Sequence, residues 1–133
     1  MARKPNITIS YEDLRDIEDQ LSKIKLPSER YDELEKELIR AKVVNQKDLA
    51  PDVVAIGSQV TFKISKFDKH LTKTLCLPLD MNKYDDGISI FAPIGSALLG
   101  LRAGQKIRWN TQSGEQHIDI LEVKRKVRYL VCE

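Results

Sequence analysis

The sequence is poor in the residues that build disulfide frameworks, metal sites and aromatic surfaces. Its 133 residues include 2 cysteines, 2 histidines and 6% aromatic residues. Cys76 and Cys132 lie far apart and form no Cys-x-x-Cys pair, so we expect buried, reduced thiols rather than a zinc site or a disulfide. His70 and His117 have no carboxylate or cysteine at the spacing of a metal site or of a nucleophile and its base. We interpret both histidines as solvent-facing strand residues.

The sequence also lacks long apolar runs, phosphate-binding glycine motifs and an excess of one charge. No run approaches the roughly 18 apolar residues of a membrane span, and residues 1–10 do not resemble a secretory signal, so we expect a cytoplasmic protein without a membrane partner. Neither Gly-x-Gly-x-x-Gly nor Gly-x-x-x-x-Gly-Lys occurs, and no cofactor is predicted. The net charge is +2, with 22 basic and 20 acidic residues, so bulk charge selects no nucleic-acid partner.

The N-terminal third of the chain has the period of α-helices. Its first apolar stripe follows a 3-4-3 spacing over Leu14, Ile17, Leu21 and Ile24, and Ser10 can cap this helix. A second stripe repeats the spacing over Tyr31, Leu34, Leu38 and Ala41. Pro27 cannot continue the first helix but suits the start of the second, so the chain should reverse there. Residues 1–48 are therefore predicted to form a short antiparallel helical hairpin, or coiled coil, in a monomeric protein.

The rest of the chain alternates like β-strands. From Gly57 the apolar positions recur every second residue, and further strands are expected at about 71–77, 88–91, 105–109 and 116–129. Pro93 and Gly100 bracket a segment typical of one or two helical turns, whose leucines should cover the open face of the sheet. We predict an α+β fold in which residues 49–133 form a small antiparallel sheet with a short helix.

Two charged clusters are candidates for chemistry. Glu29 and Asp32 lie three residues apart at the start of the second helix and could share a divalent cation, although the helix dipole alone favours acidic residues there. The basic run Lys124–Arg128 could contact phosphate, but alternating strand geometry and the single neighbouring Tyr129 favour a role in solubility at the sheet edge. Neither cluster establishes a site.

The segment from Ile88 to Gln105 carries a family resemblance. Its strand, proline, Ala-Leu pair and glycine-rich turn resemble the C-terminal domain of the Gre transcript cleavage factors, and Ser113-Gly114-Glu115 continues the likeness. Within that superfamily the chain is most similar to the regulators of nucleoside diphosphate kinase. The resemblance implies an N-terminal coiled coil followed by an FKBP-like domain that docks on bacterial RNA polymerase near its secondary channel. The docking residues that it implies are Phe91, Pro93, Ile94, Ser96, Ala97 and Leu98. Of these, Pro93, Ala97 and Leu98 match the Gre motif, whereas Phe91 replaces a polar residue and Ser96 an arginine. Phe91 is expected either to contact polymerase or to be buried.

The hairpin tip departs from the Gre pattern. In Gre factors an Asp and then a Glu at the tip help to hold a magnesium ion that activates water for RNA cleavage. Here the tip comprises Lys25, Pro27, Ser28, Glu29 and Asp32, which reverses the acidic order. Each helix of about 15 residues is also only about 20–25 Å long, which is short for a Gre coil. We therefore predict a non-catalytic regulator that competes with Gre factors and does not stimulate transcript cleavage.

Two other functions compete with this one. The implied fold is shared with FKBP-type prolyl isomerases, but the low aromatic content offers little for their aromatic-lined pocket. Alternatively, the protein is an adaptor whose hairpin grips a partner other than polymerase.

Overall fold

The computed structural model describes residues 7–25, 28–65, 70–111 and 114–125 and has an α+β architecture. Its strands are β1 (Thr8–Ser10), β2 (Lys42–Val44), β3 (Ser58–Ile64), β4 (His70–Cys76), β5 (Gly87–Ser89), β6 (Lys106–Thr111) and β7 (Gly114–Arg125). Its α-helices are α1 (Tyr11–Leu21), α2 (Ser28–Arg40) and α3 (Pro93–Leu98), and two 3-10 helices cover Gln46–Asp48 and Pro78–Lys83.

The two long helices lie where the apolar spacing predicts them. The Ser10 side chain caps α1 by accepting a hydrogen bond from the Asp13 backbone N–H at 3.1 Å. Ile17 on α1 and Leu34 on α2 are buried in the same apolar cluster. The helix α1 ends at Leu21, so Ile24 packs against that cluster from beyond the helix end.

A two-stranded parallel sheet flanks the helices and was not predicted. Strand β1 enters α1 and strand β2 leaves α2, and Ile9 pairs with Val43. Each strand has only three residues, which is too short for an alternating pattern to stand out in the sequence.

The larger sheet has five strands in the order β5-β4-β3-β7-β6. The prediction of an antiparallel sheet is wrong for one pair, because β4 and β5 run parallel. The 3-10 helix Pro78–Lys83 lies in the connection that carries the chain back to the level of Thr74, so that β5 runs parallel to the last three residues of β4. Strand β5 ends at Ser89, two residues before the predicted end. Strand β7 is described to Arg125, and the rest of its predicted span lies outside the described residues.

The helices and the sheet share one hydrophobic core. Ile7 and Ile17 belong to the same buried cluster as Phe62 of β3 and Leu98 of α3. Gly100 has φ +81°, and a Cβ there would collide with the Ile7 side chain, so this glycine allows the segment before β1 to pack against the end of α3. The apolar side chains of the helices and of the sheet therefore form one continuous cluster.

The predicted single residues are placed as follows. Cys76 is buried, and Cys132 lies outside the described residues. The exposed positions of His70 on β4 and His117 on β7 confirm the interpretation of both histidines. In the described part of the chain, no helix is long and apolar enough to cross a membrane.

Candidate functional site

The candidate docking residues surround the short helix α3. Pro93 opens this helix at a position where the missing N–H costs nothing, since the first N–H groups of a helix have no partner within it. The Ser96 hydroxyl folds back onto the carbonyl oxygens of Ala92 at 3.2 Å and Pro93 at 3.1 Å. Leu99 ends the helix, and Gly100 turns the chain with its positive φ.

The close packing of α3 on the sheet depends on Gly95. A Cβ at this position would overlap the Ser89 carbonyl oxygen and crowd the Ile90 Cα atom. Because the obstacle is backbone, a larger residue would have to push α3 away from the segment after β5. This close approach explains why a glycine follows Pro93-Ile94 in the segment that resembles the family.

The six predicted docking residues differ in exposure. Phe91 is 5% exposed, and Ala97 and Leu98 are also buried, so these three side chains support the surface from inside. Burial of Phe91 is one of the two alternatives that the sequence leaves open, and which of the six residues contact a partner stays a prediction. Pro93 is exposed, while Ile94 and Ser96 are half-buried, so these side chains form the accessible part of α3.

An exposed apolar turn before β5 was not predicted. Leu79 is 62% exposed and Met81 is 38% exposed, and both lie on the 3-10 helix Pro78–Lys83. That helix packs beside β5, the strand on which α3 also packs. We name the accessible residues Pro93, Ile94 and Ser96 the α3 surface. The sequence gives little indication that Leu79 and Met81 are exposed. The segment Pro-Leu-Asp-Met is too short to show a period that would distinguish an exposed apolar turn from a buried one.

The predicted hairpin tip is described only in part. Lys25 is exposed, and Pro27 lies outside the described residues. Ser28 and Glu29 form the start of α2, where only their backbone is described, and Asp32 is exposed on the same helix. Whether Glu29 and Asp32 face one another therefore stays a prediction. Within the described ranges, no group of three or more His, Cys, Asp and Glu side chains is placed to hold a metal ion.

One residue of the basic run near the C-terminus, Arg125, makes structural hydrogen bonds. The Arg125 guanidinium donates hydrogen bonds to the Ala50 carbonyl at 2.8 Å and the Leu49 carbonyl at 2.9 Å. It therefore fastens the segment before β3 to the end of β7. Beyond Asp119, strand β7 pairs only with β3, so Lys124 and Arg125 lie at a sheet edge as the sequence predicts. The two hydrogen bonds give Arg125 a structural role there that the sequence does not predict. Lys124 is exposed, and Lys126–Arg128 lie outside the described residues.

The one described cysteine is a protected thiol. Burial raises the pKa of Cys76, and the negative charge of Asp80 raises it further. Its Sγ atom lies 3.3 Å from the Met81 Sδ atom. Since the thiolate is the reactive form, this environment disfavours nucleophilic chemistry at Cys76.

Residues 49–125 match the sequence model of the family described as "Transcription elongation factor, GreA/GreB, C-term". The chain belongs to the GreA/GreB family. The matched GreA/GreB region contains all of the α3 surface and begins at the predicted boundary. It also includes the Leu49 and Ala50 carbonyls that Arg125 binds.

The curated relatives of this chain include regulators of nucleoside diphosphate kinase and GreA elongation factors. The "Regulator of nucleoside diphosphate kinase" of Escherichia coli (strain K12) is 35% identical over 94 residues, which are 70% of this chain and 69% of that protein. The "Transcription elongation factor GreA" of Clostridium acetobutylicum is 32% identical over 95 residues, which are 71% of this chain and 60% of that factor. Both names describe regulatory or transcription factors.

A solved structure of a GreA/GreB factor is similar to this protein over nearly the whole chain. The prokaryotic transcription elongation factor GreA/GreB from Nitrosomonas europaea is 38% identical, with a TM-score of 0.72. The similarity covers 91% of this chain and 99% of that one, so the likeness includes the N-terminal helices as well as the sheet.

Proposed function

We propose that this protein is a non-catalytic transcription regulator that binds bacterial RNA polymerase near the secondary channel and competes with Gre factors there. The observation that carries the proposal is the exposed part of α3, Pro93, Ile94 and Ser96, held in place by buried Phe91 and Leu98 within the region that matches the family. A rigid, partly apolar helix end is suited to docking, because little conformational freedom is lost when it binds. The cytoplasm is then the place of action.

The same proposal includes the finer features of the fold. Residues 1–48 form a short antiparallel coiled-coil hairpin, and residues 49–133 form an FKBP-like unit. Support comes from residues of α1 and α2 that line one common cleft, and from a family match that begins at residue 49. The shared core attaches the hairpin firmly to the unit that docks.

The dimensions of the helices support the absence of cleavage stimulation. The helices α1 and α2 have 11 and 13 residues, which at about 1.5 Å per residue gives arms of roughly 17 and 20 Å. Metal-assisted hydrolysis requires its groups to be placed within about an ångström, so an arm that stops short of the polymerase active centre contributes no rate enhancement. The reversed order of Glu29 and Asp32 also argues against cleavage stimulation.

A transcript cleavage assay tests the proposal. Backtracked elongation complexes are incubated with a Gre factor, with this protein, or with both. We expect no cleavage above background with this protein alone and a dose-dependent loss of Gre-stimulated cleavage with both. Stimulated cleavage by this protein alone, or unchanged Gre activity at a large excess of it, would overturn the proposal.

Two substitutions connect the assay to the α3 surface. Pro93→Glu and Ile94→Glu place a charge on the accessible side of α3 and should abolish the inhibition of Gre-stimulated cleavage. Leu121→Glu, at a 44% exposed position on β7, is the matched control and should inhibit like the wild type. Unfolding curves of all three variants separate loss of docking from loss of fold.

A further inference from the structure

The two long helices enclose an apolar cleft that the docking proposal does not use. The cleft measures about 480 Å³ and is lined by Leu14, Glu18, Leu21, Ser22, Glu35, Leu38 and Ile39. The lining residues recur every three or four positions on each helix, so they form one stripe of α1 and one stripe of α2. We name this feature the helical cleft. It shares no residue with the α3 surface.

The apolar lining of the helical cleft is incompletely covered. Leu14, Leu21 and Leu38 are only partly buried although they pack against the core. Ile39 is 77% exposed at the cleft, the highest exposure among the described large apolar side chains. A contiguous apolar stripe of this kind marks a binding surface more often than isolated exposed residues do.

The charge at the cleft is one-sided. Glu18 on α1 and Glu35 on α2 are the charged residues of its lining, and both are exposed. Neither carboxylate forms an ion pair with another residue in the part of the chain that the structure describes. Their neighbours behave differently, because Asp19 pairs with Lys23 at 3.1 Å and Glu37 pairs with Arg40 at 3.0 Å. The cleft thus presents apolar walls and, on each helix, one acid that has no ion-pair partner among the described residues.

We infer that the helical cleft binds an amphipathic, basic helix of a partner protein. Apolar side chains of that helix at i, i+3 or i+4, and i+7 fill the space between Leu14, Leu21 and Leu38, in the helix-in-groove mode of recognition. Lysine or arginine residues beside that stripe face Glu18 and Glu35. The apolar contact supplies most of the affinity, and the two acids select basic partners and reject acidic ones.

A pair of synthetic peptides tests the inference with the full-length protein. The first is a fluorescein-labelled helix of about 18 residues, roughly 27 Å long, with leucines at i, i+3, i+4 and i+7 and lysines on both flanks. The second has the same leucines with glutamates in place of the lysines. Fluorescence anisotropy should show binding of the lysine peptide, weakened by added salt, and at least roughly tenfold weaker binding of the glutamate peptide.

Variants then assign the binding to the cleft. Ile39→Asp and the double variant Glu18→Lys, Glu35→Lys should each weaken binding of the lysine peptide by roughly tenfold or more. These side chains are exposed, so the fold should tolerate the changes. The matched controls are Asp32→Lys, an exposed acid of α2 outside the cleft lining, and Leu121→Asp on β7, and both should bind like the wild type.

Three results would overturn the inference. They are equal binding of the two peptides, no binding of the lysine peptide at millimolar protein, and a loss with Asp32→Lys as large as with the cleft variants. Sedimentation of the protein alone provides a further check. If the chain dimerises and Ile39→Asp makes it monomeric, the occupant of the cleft is a second copy and the proposed partner helix is wrong. Gre competition is measured separately, so failure here leaves the docking proposal standing.

Discussion

The buried carboxylate of Asp13 accepts a hydrogen bond from the backbone N–H of Ile56 at 3.1 Å. Asp13 lies in the first turn of α1, and Ile56 lies just before β3, 43 residues further along the chain. The contact ties the helical part to the sheet at a point where neither side chain is accessible to water. The position of the helices relative to the sheet therefore depends on this bond as well as on the shared core.

Removing the Asp13 carboxylate should destabilise the whole protein. Asp13→Ala leaves the buried Ile56 N–H without a partner, which costs about 1–3 kcal/mol of unfolding free energy. Urea unfolding followed by circular dichroism measures the change. Asp19→Ala, which removes an exposed acid paired with Lys23, is the control and should cost less than about 1 kcal/mol. Equal effects of the two substitutions would contradict a special role for Asp13.

Alanine substitutions at Gly100 and Gly104 should distinguish the cost of backbone strain from the cost of a steric clash. Both have positive φ, at +81° and +92°, but a Cβ at Gly100 meets Ile7 while one at Gly104 meets no atom within 4 Å. Gly104→Ala should therefore cost about 1–2 kcal/mol of stability from strain alone. Gly100→Ala should cost about 1–3 kcal/mol more, because the core must shift. Thermal unfolding compares the two, and a Gly104→Ala variant as unstable as Gly100→Ala would argue against the contact with Ile7.

The Arg125 guanidinium should not be replaceable by an ammonium group. Its two nitrogens bind the carbonyls of Leu49 and Ala50 together, and lysine lacks this planar pair of donors. Arg125→Ala and Arg125→Lys should both lose about 1–3 kcal/mol of unfolding free energy. Lys124→Ala, at an exposed position next in the chain, should change stability by less than about 0.5 kcal/mol. Full stability of Arg125→Lys would show that the paired geometry is unimportant.

The Cys76 thiol should react slowly in the folded protein. Its pKa is raised by burial and by Asp80, so at pH 8 a smaller fraction is thiolate than for an exposed cysteine. In a Cys132→Ser background, reaction with Ellman's reagent should be slow in buffer and fast in guanidinium chloride. The reaction should accelerate as the pH rises, since the thiolate then forms. Rapid reaction at pH 8 without denaturant would contradict the buried thiol.

Local patterns in the sequence predict the local structure well. The Ser10 cap and the short helix between Pro93 and Gly100 occur where they are expected. So do the parts of the two apolar stripes that the structure describes within the helices, namely Leu14, Ile17, Leu21, Leu34 and Leu38. In each case the signal is carried by residues within a few positions of one another, and the physical preference acts on the same short segment.

Contacts between distant segments were not predictable in the same way. The Asp13–Ile56 bond, the Arg125 clamp and the β1–β2 pair join residues that are far apart in sequence, and each member alone looks like an ordinary surface residue or a short apolar stretch. Phe91 illustrates the same difficulty at the candidate site. Its neighbours do not reveal whether it faces the core or a partner, and only the packing of α3 on the sheet shows that it is buried.

Binding of the purified protein to bacterial core RNA polymerase, with and without excess Gre factor, tests the central proposal most directly. We expect a stable complex that excess Gre factor dissociates, and we expect Pro93→Glu to prevent the complex from forming. A complex that survives a large excess of Gre factor, or no complex at micromolar concentrations, would contradict docking near the secondary channel.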